Sequence, residues 1–232
     1  MTADGKIATA NRRFSSFSST RDKQHMMELR ATADAVMSGA RTVDLNRVTL
    51  GPGAKKYRLR RRRRGLPEYN LRVVVSRNGS LDPGAYLFRK RFSPIIILTT
   101  GRASPARLKK LGALAEEVKV CGPKEIDFAH AFRWLRQKWK VRRLLCEGGG
   151  ELDGGLFRAG VVNELHLTIC PKILGGRNAP TIADGIGVSR LKRATQLRLK
   201  SARRQGDEFF LVYRVTRKAG RSAGAPARSA VV

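Results

Sequence analysis

The sequence is poor in cysteine and in aromatic residues. Its three cysteines, Cys121, Cys146 and Cys170, lie far apart within apolar runs, and their odd number and spacing favour neither a disulfide framework nor a zinc knuckle. We therefore expect core cysteines and a reducing compartment. Aromatic residues make up 6% of the 232 residues. The sequence also has no helix-turn-helix, RNA-recognition or zinc-finger pattern.

Long apolar runs and clustered histidines are missing as well. No run approaches the roughly 18 residues that a membrane span requires. The N-terminal stretch MTADGKIATA lacks the charged-then-apolar pattern of a signal peptide. His25, His130 and His166 are scattered, so no metal site is predicted. These absences predict a cytoplasmic protein with no membrane partner.

Basic residues, in contrast, are abundant. The 48 Lys and Arg outweigh the 18 Asp and Glu and give a formal net charge of +30, which is typical of proteins with anionic partners. The densest run, KKYRLRRRRRG, lies in a segment of about 51–70 that glycine and proline interrupt, and it predicts an exposed basic loop. Residues 218–232 predict a disordered basic tail. Nonspecific nucleic-acid contact is expected through this loop and tail.

Strand-like and helical patterns alternate through the rest of the chain. The strand-like runs lie at 33–39, 71–76, 94–100, 117–122, 142–148 and 163–171. One helical pattern runs from about Thr20 to Ala33, and another begins at Ser104 with Pro105 in its first position. Helical patterns between the strands predict right-handed crossovers and a mostly parallel central sheet with helices on both faces. Near the C terminus, ATQLRLKSARR and DEFFLVYRVTR are joined by QGD and predict an antiparallel hairpin. The predicted fold class is therefore α/β, in one domain over 1–217.

A glycine-rich turn, CEGGGELDGG, follows one of the predicted strands. Glu147 precedes three glycines and a predicted helix. In open α/β sheets, ligands bind beyond the carboxyl ends of the strands, where amides at helix N-termini receive anions. The turn therefore predicts a phosphate site, although a tight turn alone would also need glycines. Glu147 predicts a polar ligand, with capping of the following helix as the structural alternative.

Three segments together resemble the pyrimidine reductase domain of riboflavin biosynthesis, the 5-amino-6-(5-phosphoribosylamino)uracil reductase family. They are MTADGKIAT, LRATADAVMSGARTV and EGGGELDGGLFRAGVVNELHLTICPKILGG, in the family's order. The resemblance implies a dihydrofolate-reductase-like fold and a homodimer. It also implies NADPH-dependent reduction of a phosphoribosylamino-pyrimidine phosphate to its ribitylamino form. Whether the pyrimidine carries a 2-amino or a 2-oxo group is left open.

The resemblance further implies the residues of the site. Substrate contacts fall on Arg30, Leu50 and Glu147, with Arg30 as a holder of the phosphate. The catalytic candidates are Lys6, as a proton donor or phosphate contact, and Glu147. The cofactor contacts fall on Thr42, Asn46, Ser76, Gly149, Gly150, Glu151, Leu152, Asp153, Gly154 and Gly155.

Two other functions remain open at this point. A dihydrofolate-reductase-like oxidoreductase could act on another substrate, because a fold does not fix a function. A basic nucleic-acid-binding protein would explain the net charge but not the low aromatic content or the lack of a reading element.

Overall fold

The chain forms two structural units in the computed structural model, which describes residues 1–11, 17–216 and 230–231. The parallel unit is Gln24–Glu147, and the antiparallel unit is Met1–Lys23 together with Gly148–Val232. The single domain over 1–217 stays a prediction.

Five parallel strands form the sheet of the parallel unit, in the order β4, β3, β2, β1, β5. The strands are β1 (Ala35–Gly39), β2 (Leu71–Val75), β3 (Ile95–Thr99), β4 (Glu117–Val120) and β5 (Leu144–Cys146). β3, with the sequence IIILT, is buried along its whole length. Burial on both faces explains why such a strand has no polar alternation. The predicted α/β class with a mostly parallel central sheet is confirmed.

Helices surround this sheet, and two of them begin at a residue whose side chain caps the first turn. The Ser104 hydroxyl accepts a hydrogen bond from the Arg107 amide (3.3 Å), with Pro105 in the first turn, as predicted. The Asp127 carboxylate accepts one from the His130 amide (2.9 Å). The helices are α1 (Thr20–Arg30), α2 (Ala40–Leu45), α3 (Lys55–Arg63), α4 (Tyr86–Arg89), α5 (Pro105–Leu114) and α6 (Phe128–Trp139).

The segment 51–70 is not the exposed loop that its charge predicts. Lys55–Arg63 forms α3, and Tyr57 and Arg61 on this helix are buried. The prediction is wrong because it assumed that a run of cations must be solvated on every side. One face of α3 instead packs against the protein, and an arginine on that face finds carbonyl partners.

Arg61 is that arginine, and its side chain is fully buried. Its Nη1 donates to the carbonyl oxygens of Arg30 (2.8 Å) and Ala33 (2.5 Å), and its Nε donates to that of Pro67 (2.9 Å). Arg30 is the last residue of α1, where carbonyls have no partner within the helix. Arg61 therefore stabilises the end of α1, which stops at Arg30 rather than continuing to the predicted residue 33.

Arg72 is buried in the same way. Its guanidinium donates to the carbonyl oxygens of Leu87, Lys90 and Ser93 and lies 4.3 Å from the ring centroid of Phe92. Burial lowers the pKa of Arg72 to about 10. Part of the large positive charge of this chain therefore serves the fold rather than an anionic partner.

Three strands of the antiparallel unit pair with one another in the order β6, β8, β7. They are β6 (Val162–Ile169), β7 (Gln196–Gln205) and β8 (Glu208–Thr216), and all pair antiparallel. β7 and β8 meet at Gly206, whose φ of 62° suits glycine in the connecting turn. The predicted hairpin is confirmed. The helix α7 (Gly150–Ala159) precedes β6, and a short 3-10 helix, Leu191–Arg193, precedes β7.

The predicted disordered tail over 218–232 is described only at its end. Ala230–Val231 forms the short strand β9, which pairs parallel with β6, and Val231 is buried. The prediction is wrong for these two residues, because a buried valine and strand pairing order them. Residues 218–229 and 232 lie outside the described residues.

The three cysteines are buried and free, as predicted. Burial raises the pKa of the Cys121 and Cys170 thiols to about 11 each, so both stay protonated near neutral pH. Across the described ranges 1–11, 17–216 and 230–231, no helix is both long enough and apolar enough to span a membrane.

Candidate active site

A bidentate ion pair joins Arg30 and Glu147 at the carboxyl end of β5. Arg30 Nε donates to Glu147 Oε1 and Nη2 donates to Oε2, both at 2.5 Å. Arg30 Nη1 donates to the carbonyl oxygen of Gly51 at 2.7 Å. The backbone amide of Glu147 donates to the carbonyl oxygen of Met37 on β1 (2.9 Å), which fixes the residue at the end of the sheet.

The Glu147 side chain binds Arg30 and does not cap the helix that follows it. Its carboxylate binds Arg30, and the N-cap residue of α7 is Gly149, so the capping alternative is wrong. The side chain of Glu147 keeps 13% of its surface exposed. Each carboxylate oxygen accepts one hydrogen bond from Arg30 and retains a second lone pair for a polar ligand. The substrate role of Glu147 stays a prediction.

The Arg30 guanidinium has little exposed surface and already forms several hydrogen bonds, which restricts its contact with a phosphate. Only 7% of its side-chain surface is exposed, and its Nε and both Nη atoms already donate to Glu147 or Gly51. These contacts favour a role in orienting the Glu147 carboxylate. The predicted phosphate contact of Arg30 stays a prediction.

Leu50 lies beside this pair in an unusual backbone conformation. Its φ is 54°, its side chain is fully buried, and its carbonyl oxygen accepts a hydrogen bond from Asn70 Nδ2 (2.7 Å). A positive φ at a bulky residue costs on the order of 1–3 kcal/mol and is common at functional sites. The turn brings the Gly51 carbonyl onto Arg30. A Cβ at Gly51 would lie 2.5 Å from the Phe92 ring, so a larger residue there would have to displace this ring.

Gly51 and Asn70 are site residues that the sequence did not reveal. A glycine before a proline looks like an ordinary turn. The only local signal from Asn70 is a polar residue directly before β2, and its side chain is fully buried. Gly51 and Asn70 belong to the site through their hydrogen bonds to Arg30 and Leu50, which lie about 20 residues away from them in the sequence.

The three cofactor contacts that were predicted in the parallel unit form hydrogen bonds with backbone groups of their own turns. The Thr42 carbonyl oxygen accepts hydrogen bonds from the Asn46 amide (3.2 Å) and from Asn46 Nδ2 (2.9 Å), which ends α2. The Ser76 hydroxyl donates to the Ser80 carbonyl (3.0 Å). These local contacts are those of turn-forming residues. The cofactor roles of Thr42, Asn46 and Ser76 stay predictions.

The glycine turn leads into α7 in the antiparallel unit. Gly148 has a φ of 68°, and a Cβ there would lie 2.8 Å from Asp153 Oδ2. A Cβ at Gly150 would lie 2.4 Å from the Thr181 carbonyl oxygen, and one at Gly154 would lie 1.9 Å from that of Asp184. Gly150 and Gly154 therefore permit α7 to pack against the segment 181–184. For these two glycines, packing is sufficient to explain the residue type.

The N-terminus of α7 still suits an anion or a hydroxyl group. Its backbone amides and helix dipole favour negative charge. Glu151 is exposed and lines an open pocket of about 370 Å³ together with Arg177 and Asp184, whereas Asp153 is buried. Leu152 and Gly155 are buried on the same helix. The predicted cofactor contacts at Gly149–Gly155 stay predictions.

Replacing Gly154 with alanine should destabilise the antiparallel unit, because the new Cβ would overlap the Asp184 carbonyl oxygen. The matched control is Gly112→Ala in α5, where a Cβ meets no atom within 4 Å. In an open helix position, alanine stabilises by about 0.5–1 kcal/mol over glycine. Thermal melting should therefore move in opposite directions for the two variants. Equal melting temperatures would contradict the close packing of α7.

Lys6 lies at the N terminus, next to the segment that follows β6. Its Nζ donates to the Ala179 carbonyl oxygen (3.3 Å), and its backbone forms a bridge with Thr181. One weak hydrogen bond leaves two ammonium protons for other partners. The role of Lys6 as a proton donor or phosphate contact stays a prediction.

Asp4 holds the neighbouring turn. Its carboxylate accepts hydrogen bonds from the Thr2 hydroxyl (2.6 Å) and from the amides of Gly175 (2.7 Å) and Leu174 (3.2 Å). The Thr2 hydroxyl first, and then the two amides, lower the pKa of Asp4 to about 2. Hydrogen bonds to the ionised form have this effect because they are weakened when the carboxylate gains a proton.

The stability that Asp4 provides should therefore depend on pH. Its pKa is lower in the folded than in the unfolded protein, so its contribution is full above pH ~4 and is lost as the pH falls towards about 2. Wild type should melt above Asp4→Asn at pH 6, and the difference should shrink between pH 4 and pH 2. A difference that is constant over this range would show that the charge of Asp4 does not stabilise the turn.

Similarity to known proteins covers almost the whole chain. A sequence profile of the family described as the RibD C-terminal domain matches residues 1–211. The 2,5-diamino-6-ribosylamino-4(3H)-pyrimidinone 5′-phosphate reductase of Methanothermobacter thermautotrophicus is 32% identical over 222 residues, 93% of this chain and 94% of that protein. The Aquifex aeolicus protein of the same name is 29% identical over 195 residues, 84% of this chain and 82% of that protein.

Solved structures show the same fold. A pyrimidine reductase-like protein of Corynebacterium diphtheriae has a TM-score of 0.77 at 23% identity, covering 94% of this chain and 90% of that chain. The riboflavin biosynthesis reductase Rib7 of Saccharomyces cerevisiae has a TM-score of 0.64 at 18% identity, covering 93% and 86%. The fold is therefore that of the pyrimidine reductases.

The family follows from the match over residues 1–211 and from the 32% identity to a full-length relative. The chain belongs to the RibD C-terminal domain family, and the predicted family of riboflavin-pathway reductases is confirmed. Because relatives in this family are named as reductases, the family implies a nicotinamide cofactor.

Proposed function

We propose that the chain is a cytoplasmic reductase of riboflavin biosynthesis that converts a ribosylamino-pyrimidine phosphate to the ribitylamino form with NADPH. The observation that carries this proposal is the 32% identity to a reductase of this name over nearly the full length of both chains. The fold and the partly exposed, arginine-bound Glu147 at the carboxyl end of a parallel sheet are consistent with it.

The 2,5-diamino pyrimidinone is the favoured substrate. The relatives from Methanothermobacter thermautotrophicus, Aquifex aeolicus and Archaeoglobus fulgidus all carry the name of its reductase. The RibD protein of Actinobacillus pleuropneumoniae is 26% identical, and this chain covers 54% of its length. We therefore prefer the 2-amino substrate to the 2-oxo one.

In this reaction, bound NADPH supplies a hydride to C1 of the opened ribosyl group. The protein must hold that carbon in line and keep the pyrimidine in place. We assign the holding of the pyrimidine to Glu147, whose free lone pairs can accept hydrogen bonds from its amino groups. Arg30 fixes the direction of that carboxylate through two hydrogen bonds. Lys6 is our candidate for the proton that the ribosyl nitrogen requires.

For the cofactor, the residues at the start of α7 fit a phosphate-bearing group through their backbone. The amides at Gly149 and Gly150 would receive the pyrophosphate, and exposed Glu151 suits a ribose hydroxyl better than a phosphate. Arginine-rich surfaces suit the 2′-phosphate that distinguishes NADPH from NADH. Calorimetric titration should show tighter binding of NADPH than of NADH. Equal affinities would contradict the NADPH assignment.

A homodimer is also proposed. Large apolar side chains are exposed on β7 and in the segment before it: Ile186, Val188, Leu191, Leu197 and Leu199. Exposed apolar surface of this kind is often covered at protein interfaces. Sedimentation equilibrium should give twice the monomer mass, and a monomer at micromolar concentration would contradict the dimer.

The substrate assignment is tested by steady-state NADPH oxidation with the two candidate pyrimidines. We expect kcat/KM for the 2,5-diamino pyrimidinone to exceed that for the 2-oxo pyrimidine by ~100-fold or more, because a site that hydrogen-bonds an amino group discriminates strongly against its replacement. The reverse preference would identify the 2-oxo pyrimidine as the substrate. Oxidation with neither would refute the proposed reaction.

A further inference from the structure

The helix α3 carries a compact cationic surface to which the proposed reductase reaction assigns no role. Lys55, Lys56, Arg62 and Arg63 are exposed on it, and Leu59 is 41% exposed among them. At about 100° per residue, these four cations fall within an arc of about 120° centred on Leu59. We name these four residues the α3 cation face. It extends for about 13 Å, the length of a nine-residue helix.

The α3 cation face is not neutralised by the described part of the protein. Arg58 and Arg60, which lie to its sides, pair with Glu68 (2.9 Å) and Glu28 (3.2 Å). None of the four cations of the face forms an ion pair with a described residue. The nearest stabilising contact is that of Lys56 with the ring of Tyr57, at 4.9 Å. Four like charges within about 13 Å therefore remain available to an anionic partner.

The helix presents this face in a fixed orientation. Tyr57 and Arg61 lie on the opposite side and are buried, and Arg61 is held by three backbone carbonyls. A flexible basic loop would lose conformational entropy on binding a polyanion, whereas α3 is already ordered. This arrangement provides positive charge at a defined spacing.

We propose that the α3 cation face binds the phosphate backbone of a nucleic-acid duplex without reading its sequence. Duplexes carry one negative charge per about 1.7 Å, so several phosphates can meet the face at once. The face presents four cations and one leucine and no asparagine, glutamine or carboxylate, so its chemistry suits phosphates rather than the reading of successive base edges. The interaction is therefore with the outside of the backbone.

Two features favour a duplex over other polyanions. Single-stranded binders stack bases on exposed aromatic rings, whereas Tyr57 is buried and Tyr69 packs against Phe92 with ring centroids 5.0 Å apart. Membrane-surface helices insert an apolar face. The apolar side of α3 is occupied within the protein, and Leu59 is the one large apolar side chain that the described helix exposes.

The test compares two variants of equal charge. In the first, Lys55, Lys56, Arg62 and Arg63 become glutamine. In the matched control, four exposed cations of α5 and α6 become glutamine, namely Lys109, Lys110, Arg133 and Arg136. Fluorescence anisotropy with a labelled 24-base-pair duplex measures affinity from 50 to 300 mM KCl, and thermal melting confirms that both variants fold.

We expect the α3 variant to bind the duplex at least ~30-fold more weakly than wild type at 100 mM KCl, and its log–log salt slope to fall by about 3 to 4, at ~0.9 per lost phosphate contact. The control should lie within about threefold of wild type. Equal weakening of both variants would show that net charge, and not α3, governs binding. Tighter binding to a single-stranded oligonucleotide, or binding only to phosphatidylserine vesicles, would also overturn the proposal.

Discussion

Replacing Arg30 with methionine, or Glu147 with leucine, should destabilise the protein by about 3–5 kcal/mol, because each change leaves a nearly buried charge without its partner. Both side chains are largely enclosed, at 7% and 13% exposed, and the two hydrogen bonds between them are short. The double variant Arg30→Met/Glu147→Leu should recover most of this loss, since apolar replacements of a buried ion pair are often neutral. Urea denaturation measures the free energy of unfolding of the two single variants and the double variant.

Activity should separate from stability in the same set. Glu147 contacts the substrate in the proposed reaction, so the restabilised double variant should still have kcat/KM lowered by a factor on the order of 100 or more. Recovery of both stability and activity in the double variant would make the ion pair purely structural. A double variant that is as unstable as the sum of the singles would show that the pair is irreplaceable for folding.

Substitution of Arg61 by methionine should destabilise the protein by about 3 kcal/mol or more, because three carbonyl oxygens lose their hydrogen bond from a buried guanidinium, and hydrogen bonds to charged groups contribute about 1.5–3 kcal/mol each. Those carbonyls belong to Arg30, Ala33 and Pro67. The control is Arg62→Met, one residue further along the same arginine run and exposed. It should change stability by no more than about 0.5 kcal/mol.

This pair of variants also decides whether the arginine run acts as a unit. Equal, small effects at Arg61 and Arg62 would mean that the run is a solvated segment, as its charge alone suggests. A large effect at Arg61 only would show that one member of the run terminates α1, while its neighbours remain on the surface.

Local sequence signals were sufficient for much of the fold. Ser104 and Pro105 marked the start of α5, and QGD marked the turn of the β7–β8 hairpin, because caps and turns involve neighbouring residues. The apolar run of β3 likewise reflects its own burial. In each case, the information that specifies the element lies within a few residues of it.

The features that were missed depend on distant partners. α3 is held by the hydrogen bonds of Arg61 to the carbonyl oxygens of Arg30 and Ala33, about 30 residues away. No local pattern distinguishes Arg61 from the arginines beside it. The bond between Arg30 and Glu147 spans 117 positions in the sequence. Both residues were predicted for the site from the family resemblance, but their contact with each other was not.

The glycine turn shows a third limit of prediction from sequence, namely a residue pattern that two different roles explain. Its residue types were compatible with both phosphate binding and tight packing. The structure explains Gly150 and Gly154 by their close approach to Thr181 and Asp184, about 30 residues further along the chain. Gly149 and Glu151 retain the phosphate and hydroxyl interpretation, because a helix N-terminus follows them.

The most direct test of the proposed reductase activity is to follow the hydride itself. The protein is incubated with the 2,5-diamino pyrimidinone ribosyl phosphate and NADPH that carries deuterium at C4 of the nicotinamide, and the product is analysed by mass spectrometry and NMR. We predict one deuterium at C1 of a newly formed ribityl chain, in amounts equal to the NADPH consumed. A substrate that is recovered unchanged, or NADPH oxidation without deuterium at C1, would contradict the assignment.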